Sequence, residues 1–259
     1  YNKQIKDHNI SAVLGYEASD YDWSKKTYGT EPSTDYLPLL QMDEINSFGD
    51  EWSYEARAGW LARVNYDYAH KYLVELLARY DGSYLYAPSQ RWGFFPGASI
   101  GWRISEENFF APLKSVVDDL KIRASIGQTG TESGVSLFGY LSGYNWNQGS
   151  AVLDGEYVTG LNQRGLPVTN LSWTKNTTKN IGFDLTMFGN RLTISADAFR
   201  KDITGVPAAR YDVLLPSEVG YSLPNENLNK QAYIGTEAMA TWTDHIGDFN
   251  YRVSGNITF

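Results

Sequence analysis

The stretch "YEARAGWLARVNYDY", residues 54–68, decides the fold. Its even positions, Tyr54, Ala56, Ala58, Trp60, Ala62, Val64, Tyr66 and Tyr68, are apolar or aromatic. Its odd positions, Glu55, Arg57, Gly59, Leu61, Arg63, Asn65 and Asp67, are mostly charged or polar. A period of two over fifteen residues is a β-strand whose faces meet different environments. Two pairs of environments fit: protein core against bulk water in a soluble sheet, or lipid against a polar lumen in a membrane barrel.

The same alternation returns along the chain in 8–18, 72–82, 93–104, 120–128, 180–188, 191–199, more loosely in 232–242, and in 249–259, giving about nine strands. The connections alternate in length. Segments 19–53, 83–92, 129–179 and 202–231 are medium to long, whereas 69–71, 105–119, 189–190 and 243–248 are compact. Long connections on one end and short turns on the other are the up-and-down pattern of outer-membrane barrels. A Greek-key sandwich has no reason to segregate them.

Turn length sets the expected register, because facing residues share a side of the sheet. The turn 69–71 places Tyr68 opposite Tyr72, Val64 opposite Leu76 and Trp60 opposite Tyr80. A two-residue turn at Gly189 and Asn190, which tolerate positive φ, places Met187 opposite Leu192 and Phe188 opposite Arg191.

Four strands carry same-face aromatics eight residues apart: Trp60/Tyr68, Tyr72/Tyr80, Phe94/Trp102 and Tyr251/Phe259. Eight residues rise roughly 26 Å along a strand, or about 20 Å in height at a 40° tilt, close to the apolar band between two aromatic girdles. Trp60, Tyr68, Tyr72, Tyr80, Phe94 and Trp102 are therefore expected to face lipid. Arg57, Arg63, Glu75, Arg79, Arg103 and Arg123 fall on the opposite face and are expected to line a lumen.

Composition narrows the classes. Of 259 residues, 19 are Tyr and 8 Trp, the net charge is −8 and the pI about 4.9. A nucleic-acid surface would be basic, so no such partner is expected. With no cysteine there is neither disulfide framework nor thiolate metal site. No apolar run approaches the roughly 20 residues of a membrane helix, and the mean hydropathy of −0.40 says little about barrel strands, whose alternate residues are polar. The chain begins without an initiator Met or a signal peptide and so reads as processed or truncated. An odd strand count, with single-chain bacterial barrels being even, points to a missed strand or a larger barrel.

Several segments resemble one family. "RWGFFPGASIGWRISEENFF" (91–110), "LKIRASIGQTG" (120–130), "YLVELLARYDGS" (72–83) and "HNISAVLGYEA" (8–18) are similar in order and spacing to barrel motifs of SusC/RagA-type TonB-dependent transporters. So is "LSWTKNTTKNIGFDL" (171–185) followed by "NRLTISADAFRKDITG" (190–205). The resemblance implies an all-β, transmembrane, antiparallel up-and-down barrel of 22 strands closed by a plug. Residues 1–259 would supply about nine of those strands, as a partial barrel domain without the plug. It further implies import of oligosaccharides or peptides across the outer membrane of a Gram-negative bacterium, with a SusD-like surface lipoprotein and with TonB acting on the absent plug segment.

No catalytic, cofactor or metal constellation is expected. His8, His70 and His245 sit at strand starts and turns without ligand spacing, so the chain reads as a transporter rather than an enzyme. The candidate substrate contacts are aromatics of the long connections: Trp23, Tyr28, Tyr36, Trp52, Tyr144, Trp146, Tyr157 and Tyr211. Aromatic faces stack on sugar rings or hold peptide side chains. The alternative is a soluble, aromatic-rich, carbohydrate-binding β-sandwich, whose apolar faces would have to cover one another.

Overall fold

The computed structural model describes residues 1–30, 45–132, 134–210, 212–220 and 222–259. Ten strands form one antiparallel sheet: β1 (Asn2–Ile5), β2 (His8–Thr30), β3 (Ile45–Tyr68), β4 (Tyr72–Ser83), β5 (Trp92–Arg103), β6 (Val117–Thr131), β9 (Thr174–Met187), β10 (Leu192–Ala208), β11 (Glu226–Ile246) and β12 (Phe249–Thr258). Each pairs with the next in that order, and a separate hairpin, β7 (Tyr144–Leu153) with β8 (Glu156–Gln163), lies between β6 and β9.

The expected registers hold. Tyr68 faces Tyr72, Val64 faces Leu76, Trp60 faces Tyr80 and Met187 faces Leu192. The turn after β9 departs from a two-residue primed turn in one respect: Phe188 also has positive φ, at 60°, beside Gly189 at 67° and Asn190 at 64°. Alternation of connection length also holds: 6–7, 69–71, 104–116, 188–191 and 247–248 are at one end, and the strand ends Thr30 and Ile45, Ser83 and Trp92, Thr131 and Thr174, and Ala208 and Glu226 are at the other.

Three expectations need correcting. The strand count rises to ten in the main sheet, because Asn2–Ile5 pairs with 8–11 although too short to show a period. The segment 19–53 is not a loop throughout. β2 and β3 stay paired in unbroken register from His8–Tyr68 to Gly29–Ser47. A span needs about 9–11 residues, so β2, with 23 residues, runs on by about 12, or roughly 40 Å of two-stranded arm. Within 129–179, strands β7 and β8 replace part of the expected loop.

The two faces of the sheet differ as the alternation requires. On one, Leu14, Leu76, Ile100, Ile181 and Ile234 are 53–76 % exposed. Left in water, each would forgo about 1.5–3 kcal/mol of burial, and among the described residues no second sheet covers them. The other face is concave: one cavity of about 760 Å³ runs from Asn2 through Ser11, Asn65, Glu75 and Arg123 to Asn180. The only fully packed core, among the described residues, lies toward the long-connection end, where Tyr86, Phe95, Leu171 and Trp173 bury one another.

Aromatic rings of the apolar face meet at two levels. Tyr16 meets Trp60 at 4.9 Å and Tyr80 stacks on Trp92 at 4.9 Å near the long-connection end. Tyr68 stacks on Tyr72 at 6.3 Å at the short-turn end. There Glu107, in the connection 104–116, accepts from Tyr72 Oη at 2.7 Å and Trp102 Nε1 at 3.2 Å. These bonds, Tyr72's first, hold the Glu107 carboxyl below the usual carboxylate range. Apolar rings with tethered polar tips suit a membrane–water boundary.

Candidate functional site

The concave face gathers charge of both signs, and it does so in pairs. Near the long-connection end, Arg57 Nη1 meets Glu55 at 2.6 Å and Nη2 meets Glu132 at 2.8 Å. Arg79 meets Asp81 at 3.0 Å and Glu17 at 3.8 Å. Arg57, Glu132, Arg79, Asp81 and Glu17, with Trp173, border a cavity of about 420 Å³. Toward the short turns, Arg63 pairs with Glu75 across β3 and β4, and Arg103 with Asp119 at 3.1 Å. All six predicted lumen residues therefore lie on one wall, and each is ion-paired.

The densest knot joins β6, β9 and β10. Arg123 donates from Nη1 and Nη2 to Asp197 at 2.6 Å each, from Nε to Asp184 at 3.2 Å, and from Nη2 to the Ser195 hydroxyl at 3.2 Å. Lys121 also meets Asp184, at 2.9 Å. Gly182 stands opposite Asp197, and a Cβ there would come within 2.4 Å of the carboxylate. The close approach of that carboxylate is why glycine occupies the position. Arg123→Ala would leave Asp197, nearly buried, without its guanidinium. A loss of about 2 kcal/mol is expected, read as a lower denaturation midpoint of the detergent-folded protein. Arg123→Lys should recover only part of it, since an ammonium cannot hold both carboxylates in the same fork.

The six candidate aromatics among the described residues fall on two separate hairpins, β2–β3 and β7–β8. Trp23 faces Ser53 and shares the concave side with Glu55 and Arg57. Tyr28 and Trp52 fall on the opposite parity, continuous with Trp60. Tyr28 packs on Phe48 at 5.5 Å, and Trp52 Nε1 donates to Asp22 at 2.7 Å. Tyr144 and Tyr157 are exposed on the β7–β8 hairpin, 73 % and 82 %; Trp146 pairs through its backbone with Leu161. Tyr36 and Tyr211 lie outside the described residues. The histidines have local partners: His8 with the Tyr66 hydroxyl at 2.9 Å, His70 with Asp67 at 2.6 Å.

Sequence reasoning missed Glu132, Asp119 and Tyr86 as wall-supporting residues. Glu132 and Tyr86 sit in connections, outside any period, so no local signal marks them. Asp119 is the third residue of β6, one residue before the alternation becomes legible at Leu120.

Residues 3–259 match the family model described as TonB dependent receptor-like, beta-barrel. The chain is 31 % identical to the TonB-dependent receptor P39 of Formosa agariphila, over 99 % of this chain and 25 % of that protein. It is also 31 % identical to the TonB-dependent receptor SusC of Bacteroides thetaiotaomicron, over 100 % of this chain and 26 % of that one. Among solved structures it superposes on the RagAB peptide importer in its open-open state, with a TM-score of 0.80 at 21 % identity, covering 100 % of this chain and 28 % of the other. The chain thus spans about a quarter of the length of the curated relatives it matches.

Proposed function

Since the chain belongs to the TonB-dependent receptor β-barrel family, we propose that it forms part of the wall of a larger outer-membrane barrel that imports oligosaccharides or peptides. In this reading residues 1–259 are a partial barrel domain, the short turns face the periplasm and the long connections face outward. A SusD-like lipoprotein closes over the long connections, and TonB works through a plug carried elsewhere in the protein.

The observation that carries the reading is the division of the sheet into an uncovered apolar face and a concave, ion-paired one. A soluble sandwich would cover that apolar face with a second sheet. Paired charges give the wall polarity without strong net attraction for either sign. This suits neutral or mixed-charge cargo, and it leaves the wall ordered when cargo is absent. The role is passage rather than catalysis, as in the receptors it resembles.

The test is growth of a strain lacking the full-length receptor on oligosaccharides and on peptides as sole carbon sources. Loss of growth on one of these classes, restored by the intact receptor, is expected. Unchanged growth on both, with unchanged uptake of labelled substrates, would sink the import reading.

A further inference from the structure

The lipid-facing side is not uniform. On β2–β5 its upper edge is the aromatic row Tyr16, Trp60, Tyr80 and Phe94, which are register partners. On β9–β11 the corresponding level is cationic. Counting eight residues up-strand from Trp242, whose ring lies 6.2 Å from Phe188 at the short-turn end, leads to Ile234. Ile234 faces Arg200, and Arg200 faces Lys179. Eight residues correspond to roughly 20 Å of height on a strand tilted by about 40°, the upper edge of the apolar band. Four residues further, Thr204 stands between Lys175 on β9 and Lys230 on β11. All of these share the side-chain parity of Ala196, Ala198 and Ile181, the apolar face.

Of these four cations only Arg200 is neutralised, by Asp202 at 2.9 Å. Among the described residues Lys175, Lys179 and Lys230 have no ion-pair partner. This contrasts with the concave wall, where each predicted lumen arginine is paired, and with a chain of net charge −8.

Directly below the cations the surface is hollowed. Ala196, Ala198 and Ala238 floor an apolar furrow of about 560 Å³, walled by Ile122 and Phe183 on one side and Ile257 on the other. Ala196 faces Ala238, with Ala198 two residues on, and these three small side chains lie between the larger Phe183 and Ile257, leaving the depth of a missing side chain.

We propose that this panel is a binding site for a phosphorylated glycolipid of the outer leaflet, one acyl chain lying in the furrow and its phosphates resting on Lys175, Lys179 and Lys230. The furrow alone would accept any apolar chain. The unpaired cations directly above it select an amphiphile with an anionic head, and their place at the long-connection end selects the outer leaflet. The site rests on the outer-membrane reading above.

The test uses the full-length receptor, purified in non-ionic detergent, stripped of lipid and titrated under native mass spectrometry. The probes are bisphosphorylated lipid A, its dephosphorylated form, phosphatidylglycerol and inorganic phosphate. Bisphosphorylated lipid A is expected to bind at least tenfold more tightly than the other three. The triple variant Lys175→Gln, Lys179→Gln, Lys230→Gln should lose that preference, and the matching Lys→Arg triple should keep it, which separates charge from folding. Ala196→Phe with Ala238→Phe should weaken lipid A by filling the furrow. Equal binding of dephosphorylated lipid A or phosphatidylglycerol overturns the assignment. So does an unaffected Gln triple, or a second receptor copy that holds this face and excludes lipid. A receptor that inserts into vesicles yet shows no preference overturns this site alone; one that fails to insert overturns the membrane reading with it.

Discussion

Trp173→Ala is expected to destabilise the folded chain by about 3–5 kcal/mol, the range for emptying a buried tryptophan site. Trp173 is 9 % exposed, packs on Tyr86 at 5.5 Å and edge-on to Phe95 at 5.4 Å, and its Nε1 donates to the carbonyl of Arg91 at 3.0 Å. It ties the entry to β9 to the connection 84–91 and to the inner side of β5. The space is already tight: a Cβ on Gly130 would lie 2.2 Å from the Phe95 ring and 2.8 Å from that of Trp173. Trp173→Phe should keep most of the packing and lose about 1 kcal/mol with the hydrogen bond. Denaturant unfolding in detergent and protease cleavage within 84–91 measure both. If Trp173→Ala unfolds at the same midpoint with 84–91 still protected, the core does not hold the connections. Tyr86→Phe is the contrasting case. The Tyr86 hydroxyl is buried without a partner among the described residues, and burial pushes its phenol up. Removing it should cost nothing measurable.

Leu76→Arg should cost about 2–4 kcal/mol, the penalty for a cation at the midplane of a barrel's lipid face. Leu76 faces Val64, midway between the Trp60–Tyr80 and Tyr68–Tyr72 pairs, and is 53 % exposed. In water an exposed Leu→Arg substitution is nearly neutral, so the measurement separates lipid from solvent on this face. Ser99→Arg, on the concave side beside Glu75, should cost far less. Refolding equilibria in lipid vesicles read the difference. Equal costs at the two positions would contradict a lipid-facing side.

Where two environments bordered a strand, the sequence was legible. The registers of β3–β4 and β9–β10 follow from turn length and parity, and all six predicted wall residues face one way. Legibility ended where the contrast of environments ended. In β2 the apolar positions are even through Ala18, then odd at Tyr21 and Trp23, with Asp20 and Asp22 taking the even places. The ribbon continues unbroken through this reversal. Where β2 and β3 pair only with each other, neither face has to be apolar, so the period inverts and reads as the end of a strand. The same holds on β10, where Ala198 gives way to Arg200 and Asp202. The Tyr86–Trp173 core was illegible for another reason: its halves lie 87 residues apart, in connections that carry no period.

The strand order also has a consequence for assembly. Every pairing in the main sheet joins sequence neighbours except β6 with β9, between which residues 132–173 intervene. Closing that gap rather than the three-residue turn 69–71 costs about 2 kcal/mol more in chain entropy by the logarithmic rule, before the β7–β8 hairpin shortens the effective path. The sheet is therefore two zippers, β1 to β6 and β9 to β12, each able to grow hairpin by hairpin, joined at a seam that is entropically the last to close. The Arg123 knot lies across that seam, tying β6 to both β9 and β10. Its ion pairs are the stitch that offsets the late, long-range closure.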